Sequence, residues 1–168
     1  CMWDAWRTFP VRFDAHPNGY FRIRSSSVKK PNVIFIMTDD QGYGDLSCMG
    51  AKDFATPNID ALAKSGARFS SMYSNCPVCS PSRASLLTGR YPGNAGVRGI
   101  IAGHRRASGL TPAVPTIATA LRKEGYATGL MGKWHLGLRG ECRPNSNGFD
   151  EFGGFLAGCI DYYSHIFY

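Results

Sequence analysis

Apolar residues along this chain fall in short blocks, and the spacing inside each block decides which element it predicts. The longest unbroken block, Val33 to Met37 within "NVIFIMT" (32–38), is rich in β-branched and aromatic residues and runs into Asp39 and Asp40. Such a run predicts a strand buried on both faces. Thr56 and Pro57 then predict a helix start, with Thr56 as cap and Pro57 in the first helical position. Ile59, Leu62 and Ala63 fall on one face of that helix and Gly66 ends it. "ARFSSMYSN" (67–75) reads as a second strand, and "SRASLLTGR" (82–90) has helical spacing that closes at Gly89.

Residues 93–112 are rich in Gly, Arg and Ala and predict a loop. "PTIATALRKEG" (115–125) predicts another helix, bounded by Pro115, Thr116 and Gly125, and "YATGLMG" (126–132) a further strand. Strands alternating with helices predict an α/β domain with a largely parallel sheet flanked by helices. In such sheets functional groups gather at the carboxyl ends of strands. Asp39-Asp40 and Lys133-Trp134-His135 both fall at such ends. Residues 1–30 hold no sustained period and end in "SSSVKK", so they read as a poorly ordered extension joined by a linker.

Composition changes this picture little. The chain has 168 residues, 43% hydrophobic and 18% charged, which suits one domain with its own core. A net charge of +7 points to anions. The basic residues are scattered apart from Lys29-Lys30 and Arg105-Arg106, without the aromatic-basic alternation of a nucleic-acid platform. A small anionic substrate fits the charge as well, and no nucleic-acid partner is expected. Six cysteines are too sparse for a disulfide framework. No apolar run approaches the length of a membrane span, and no basic start precedes an apolar leader.

Three groups of residues carry candidate chemistry. Asp39 and Asp40 are adjacent carboxylates whose repulsion a hard cation would relieve, although an acidic turn through Gln41-Gly42 explains them equally well. Lys133 and His135 offer a cation and a titratable imidazole at a strand end. Cys76-Pro77-Val78-Cys79 has the C-x-x-C spacing of thiol-redox and zinc sites. The residues after Cys79 argue otherwise. Pro81 and the helix beginning at Ser82-Arg83 put Cys79 near a helix N-terminus, which favours an anion, and Arg83 can aim at the same spot. A resolving pair of cysteines needs neither.

Cys79-Ser80-Pro81-Ser82-Arg83, followed by Leu87-Thr88-Gly89-Arg90, resembles the signature of the type I sulfatases, the formylglycine-dependent, arylsulfatase A/B-like family. A second family signature is matched by Gly125-Tyr126-Ala127-Thr128 and Gly132-Lys133-Trp134-His135. "TPNIDALAKSG" and "GFDEFGGFLAGCIDYYSH" (148–165) are similar to the family in the right order, the latter to arylsulfatase B-type enzymes. The resemblance runs from about residue 31 to the end.

It implies an alkaline phosphatase-like α/β fold of which residues 31–168 are an incomplete, N-terminal portion. It implies hydrolysis of sulfate monoesters, of a sulfated small molecule or glycan. Cys79 would be oxidised by a formylglycine-generating enzyme and become nucleophile and metal ligand, leaving Cys76 a bystander. Asp39 and Asp40 would ligate Ca²⁺ or Mg²⁺, Arg83 and Lys133 would hold the sulfate, and His135 would act on the formylglycine hydrate. His104 is a weaker candidate for substrate contact. Family habit points to periplasm, secretion or lysosome. The family's remaining ligands and bases have no counterpart in these residues, so little activity is expected of the chain alone. Rival readings are a phosphate or phosphonate monoester hydrolase on the same platform, a thiol-redox or zinc module using Cys76 and Cys79, and an inactive binding protein on the same scaffold.

Overall fold

The computed structural model describes residues 30–104 and 107–166, together with the strands Phe13–Ala15 and Phe21–Ile23. The chain divides into two compact units between Thr38 and Asp39. In the first, β1 (Phe13–Ala15) and β2 (Phe21–Ile23) pair antiparallel, with Asp14 opposite Arg22. The remainder of the expected extension over residues 1–30, apart from Lys30, lies outside the described residues.

The expected strand over 32–38 is not formed. Residues 31–38 have no regular structure, and Val33, Ile34, Phe35 and Ile36 are all more than half exposed. A strand needs neighbours for its N–H and C=O groups, and no strand among the described residues pairs with this stretch. The strand expected over 67–75 is likewise turn and irregular chain, with Phe69, Met72 and Tyr73 exposed. Both runs have the composition of strands and join no sheet among the described residues.

The second unit carries the helices and a small parallel sheet. Helix α1 (Pro57–Ser65) starts where expected. Thr56 does not cap it in the usual way; its hydroxyl donates to Asp60 at 3.0 Å while Ser47 Oγ donates to the same carboxylate at 2.7 Å. The face bearing Ile59 and Leu62 is open to solvent. Helix α2 (Cys79–Thr88) begins at Cys79 itself, three residues before the expected start. Pro81 is tolerated because N–H groups of a first turn have no helical acceptor, and the Ser82 amide makes the opening bond to Val78 O at 3.2 Å. Gly89 closes α2 in the left-handed conformation, φ 65°.

Helix α3 (Ile117–Lys123) is opened by a reciprocal box. Thr119 N donates to Thr116 Oγ1 at 3.1 Å, and Thr116 N to Thr119 Oγ1 at 3.3 Å. Strand β3 (Gly129–Lys133) begins later than the pattern indicated and pairs in parallel with β4 (Glu151–Phe155), Lys133 opposite Phe155. β4 was not legible from its glycine-rich sequence. Its glycines serve the sheet, since a Cβ on Gly154 would run into the Gly132 main chain. The ladder continues past β3, with Trp134 N bonded to Phe155 O and His135 N to Leu156 O.

The core sits on this continuation. Trp134 is 1% exposed, meets Phe149 edge-on at 6.1 Å and donates its indole N–H to Cys142 O at 2.8 Å. Leu110, Leu136, Ala84 and Ala118 pack around it. Burial of Trp134 thus fixes its two neighbours in sequence, Lys133 and His135. No helix among the described residues is long and apolar enough to cross a membrane.

Candidate active site

Three charged side chains from separate parts of the second unit converge beyond the end of β3. Lys133 Nζ donates to Asp39 Oδ2 at 2.6 Å, and Arg83 Nη2 lies 3.6 Å from Asp39 Oδ1. Arg83 Nη1 also donates to the Lys133 carbonyl at 2.8 Å, tying α2 to β3. The Lys133 and Arg83 side chains are nearly covered, whereas that of Asp39 is 41% exposed. Burial pulls the Asp39 carboxyl upward, but the Lys133 bond and charge, joined by Arg83, outweigh it and hold the carboxyl below its usual range.

His135 is 4% exposed. Its Nε2 lies 3.0 Å from the Ile101 carbonyl, and a Cβ on Gly158 would meet the ring at 2.6 Å, so the ring is confined on both counts. Burial pushes its pKa down; the Ile101 carbonyl opposes this and the charges of Lys133 and Arg83 reinforce it. His135 and Asp40 both hold positive φ, at 55° and 54°. For residues other than glycine this costs on the order of 1–2 kcal/mol, and such strain collects at functional sites.

Two buried groups close to this cluster lack a protein partner among the described residues: Arg83 Nε, a donor, and His135 Nδ1. Unsatisfied buried polar atoms are costly; an anionic oxygen would satisfy Arg83 Nε, and a hydroxyl donor would satisfy His135 Nδ1.

Asp40 is exposed. Cys79 is a half-buried free thiol in the first position of α2, and Val78 before it places no side chain on the helix amides. Cys76, also half-buried and free, precedes the helix. His104 is exposed, at a shallow cavity of about 280 Å³ that also meets Arg98 and Ser108. The structure therefore brings Asp39, Arg83 and Lys133 into contact, with His135 two residues along from Lys133, and leaves His104 at the cavity. Among the described residues no three of His, Cys, Asp and Glu form a metal-binding group, so Asp39, Asp40 and Cys79 are not drawn together as a closed set. Their donor chemistry nonetheless suits a hard cation, because Asp39 and Asp40 supply oxygen and Asp39 remains partly open.

Sequence patterns missed the Ile101 carbonyl and Gly158. A main-chain acceptor leaves no trace in side-chain type, and one glycine among twenty does not stand out.

A family model described as Sulfatase matches residues 31–167. The chain belongs to the sulfatase family. Among curated members, mouse steryl-sulfatase is 42% identical over 139 residues, covering 75% of this chain and 22% of that protein. Human arylsulfatase A is 44% identical over 129 residues, covering 75% and 25%. The chain thus spans about a quarter of the length of these relatives. Among solved structures, Ps i-CgsB in complex with k-i-k-neocarrahexaose superposes with a TM-score of 0.76 at 44% identity, covering 80% of this chain and 30% of that one. The α/β fold is that of the sulfatases, present here as an N-terminal portion.

Proposed function

We propose that the protein to which these residues belong hydrolyses sulfate monoesters, with residues 31–168 supplying the nucleophile side of the catalytic domain. The observation that carries this reading is the cationic pair Arg83 and Lys133 held on one carboxylate beside an unpartnered imidazole nitrogen. Such an arrangement suits a tetrahedral anion. Arg83 Nε is a buried donor awaiting an oxygen, and Lys133 provides a compact charge. Fixed donors aimed where negative charge develops are the largest single contribution in many such sites.

Asp39 and Asp40 would hold Ca²⁺ or Mg²⁺, which when bound supplies Lewis-acid polarisation of the sulfate oxygens. Cys79, once oxidised to formylglycine and hydrated, would supply two hydroxyls on one carbon: one would attack sulfur as the ester alcohol departs, and deprotonation of the other would release sulfate by C–O cleavage and restore the aldehyde. The half-buried first position of α2 suits this, because the helix amides and Arg83 favour negative charge there. His135 accepts a proton at Nδ1, the ring atom left without a partner. Cys76 takes no part. The substrate class we infer is a sulfated carbohydrate or small molecule, for which family membership and the net positive charge are the support. Two carboxylates and one hydroxyl offer at most about five oxygens, short of the six to eight that Ca²⁺ takes, so the 168 residues alone are expected to turn over little.

The test has two arms. The complete gene product, made in its native host, should carry an aldehyde in place of the thiol on the peptide containing residue 79; an unmodified thiol would sink the reading. The same protein should cleave an aryl sulfate faster than the matching aryl phosphate; the reverse order would favour a phosphoester hydrolase on the same platform.

A further inference from the structure

Ser80, immediately after Cys79, is wholly buried in the first turn of α2. Its hydroxyl accepts a hydrogen bond from the Ile101 amide at 3.1 Å. The carbonyl of the same residue, one peptide group further along the chain, faces His135 Nε2 at 3.0 Å, and both contacts are buried. A carbonyl can only accept, so Nε2 is the protonated nitrogen. In the neutral ring the lone pair then lies on Nδ1, the atom without a protein partner.

Ile101 belongs to neither helix nor strand, in a stretch that also contains Gly96, Gly99 and Gly103. No helix or strand holds its main chain. The Ser80 hydroxyl anchors the Ile101 N–H from the nucleophile helix, and so holds in place the residue whose carbonyl faces His135. A bland alternative is that Ser80 is simply a satisfied buried hydroxyl with no bearing on His135.

We propose that Ser80 is a positioning residue for His135, acting through the Ile101 main chain to hold the tautomer in which Nδ1 is the free base. This rests on the reading of His135 as a proton acceptor in the proposed hydrolysis. The residue after Cys79 then has a role distinct from that of the signature around it. It couples the helix that bears the nucleophile to the ring that serves it, and to the loop that carries His104.

The experiment uses the complete gene product coexpressed with a formylglycine-generating enzyme, with rates expressed per formylglycine measured by mass spectrometry. Ser80→Ala should lower kcat roughly ten- to a hundredfold and leave KM within about twofold. Ser80→Thr, which keeps the acceptor oxygen, should recover most of kcat. In a His135→Ala background, Ser80→Ala should add no further loss, because residues acting as a unit are not additive. Independently of modification, ¹⁵N-histidine labelling should show Nε2 protonated in the parent and a mixed tautomer in Ser80→Ala, and exchange at the Ile101 amide should quicken. Unchanged kcat, a loss that adds to that of His135→Ala, or an unchanged tautomer overturns the proposal. If residue 79 is never converted, the hydrolase reading fails by itself, and the labelling and exchange arms still decide the role of Ser80.

Discussion

Arg83, Lys133 and Asp39 show how little a residue type says until its partners are known. Lys133 read from sequence is a cation at a strand end; in the structure it is a nearly covered ammonium 2.6 Å from Asp39. Arg83 is bound twice, through the Lys133 carbonyl and the same carboxylate. A lysine cannot reproduce that fork, so Arg83→Lys in the complete gene product should lower kcat roughly a hundredfold or more, as steady-state kinetics on an aryl sulfate would measure. His135 yields a prediction with a definite sign. Burial holds its folded pKa below the ordinary value of 6.5. The neutral ring therefore contributes stability that is complete above about that pH and is lost as pH falls below it. Denaturant midpoints should fall between about pH 7.5 and about pH 5.5, and His135→Gln should flatten that slope.

At the scale of elements, α3, β3 and β4 are tied by one carboxylate. Asp150, just before β4, accepts from Thr128 N at 2.8 Å and Thr128 Oγ1 at 2.9 Å, and pairs with Arg122 of α3 at 3.0 Å. The hydrogen bonds from Thr128, with Arg122, hold the Asp150 carboxyl below its usual range. That contribution is present above about pH 4 and is withdrawn on acidification through the lowered value. Thr116 plays a matching part at the start of α3, where its hydroxyl both caps the helix and donates to Asn147 O at 2.7 Å. Thr116→Ala should cost about 1–2 kcal/mol, and Thr116→Ser substantially less, measured by urea denaturation. The three helices and the later strand were legible because Pro57, the Thr116 cap, the closing glycines and the apolar spacing are local. β4 and the start of α2 at Cys79 were not, since a glycine-rich strand is made by close approach to a neighbour and a proline in a first turn looks like a break.

For the whole molecule, the second unit depends on Trp134. Its truncation to Ala should cost about 3–5 kcal/mol and disturb Lys133 and His135 together, so thermal unfolding and activity should fall in parallel. Ca²⁺ binding to the folded protein should raise the melting temperature by mass action. Asp39→Asn combined with Asp40→Asn should abolish that shift, and a chelator should reverse it in the parent. Differential scanning fluorimetry with and without the metal reads both outcomes.

The amino-acid sequence by itself determined the family, the order of the helices and the identities of Asp39, Arg83, Lys133 and His135 as the residues with chemistry to offer, because signatures and caps are local in the chain. Whether an apolar run becomes a strand was decided only in three dimensions. Residues 32–38 have every local mark of one and find no strand partner among the described residues, since a strand is stabilised by groups that lie elsewhere. The same holds for the site. That His135 presents Nδ1 follows from the carbonyl of Ile101, a contact across 34 positions that only folding makes.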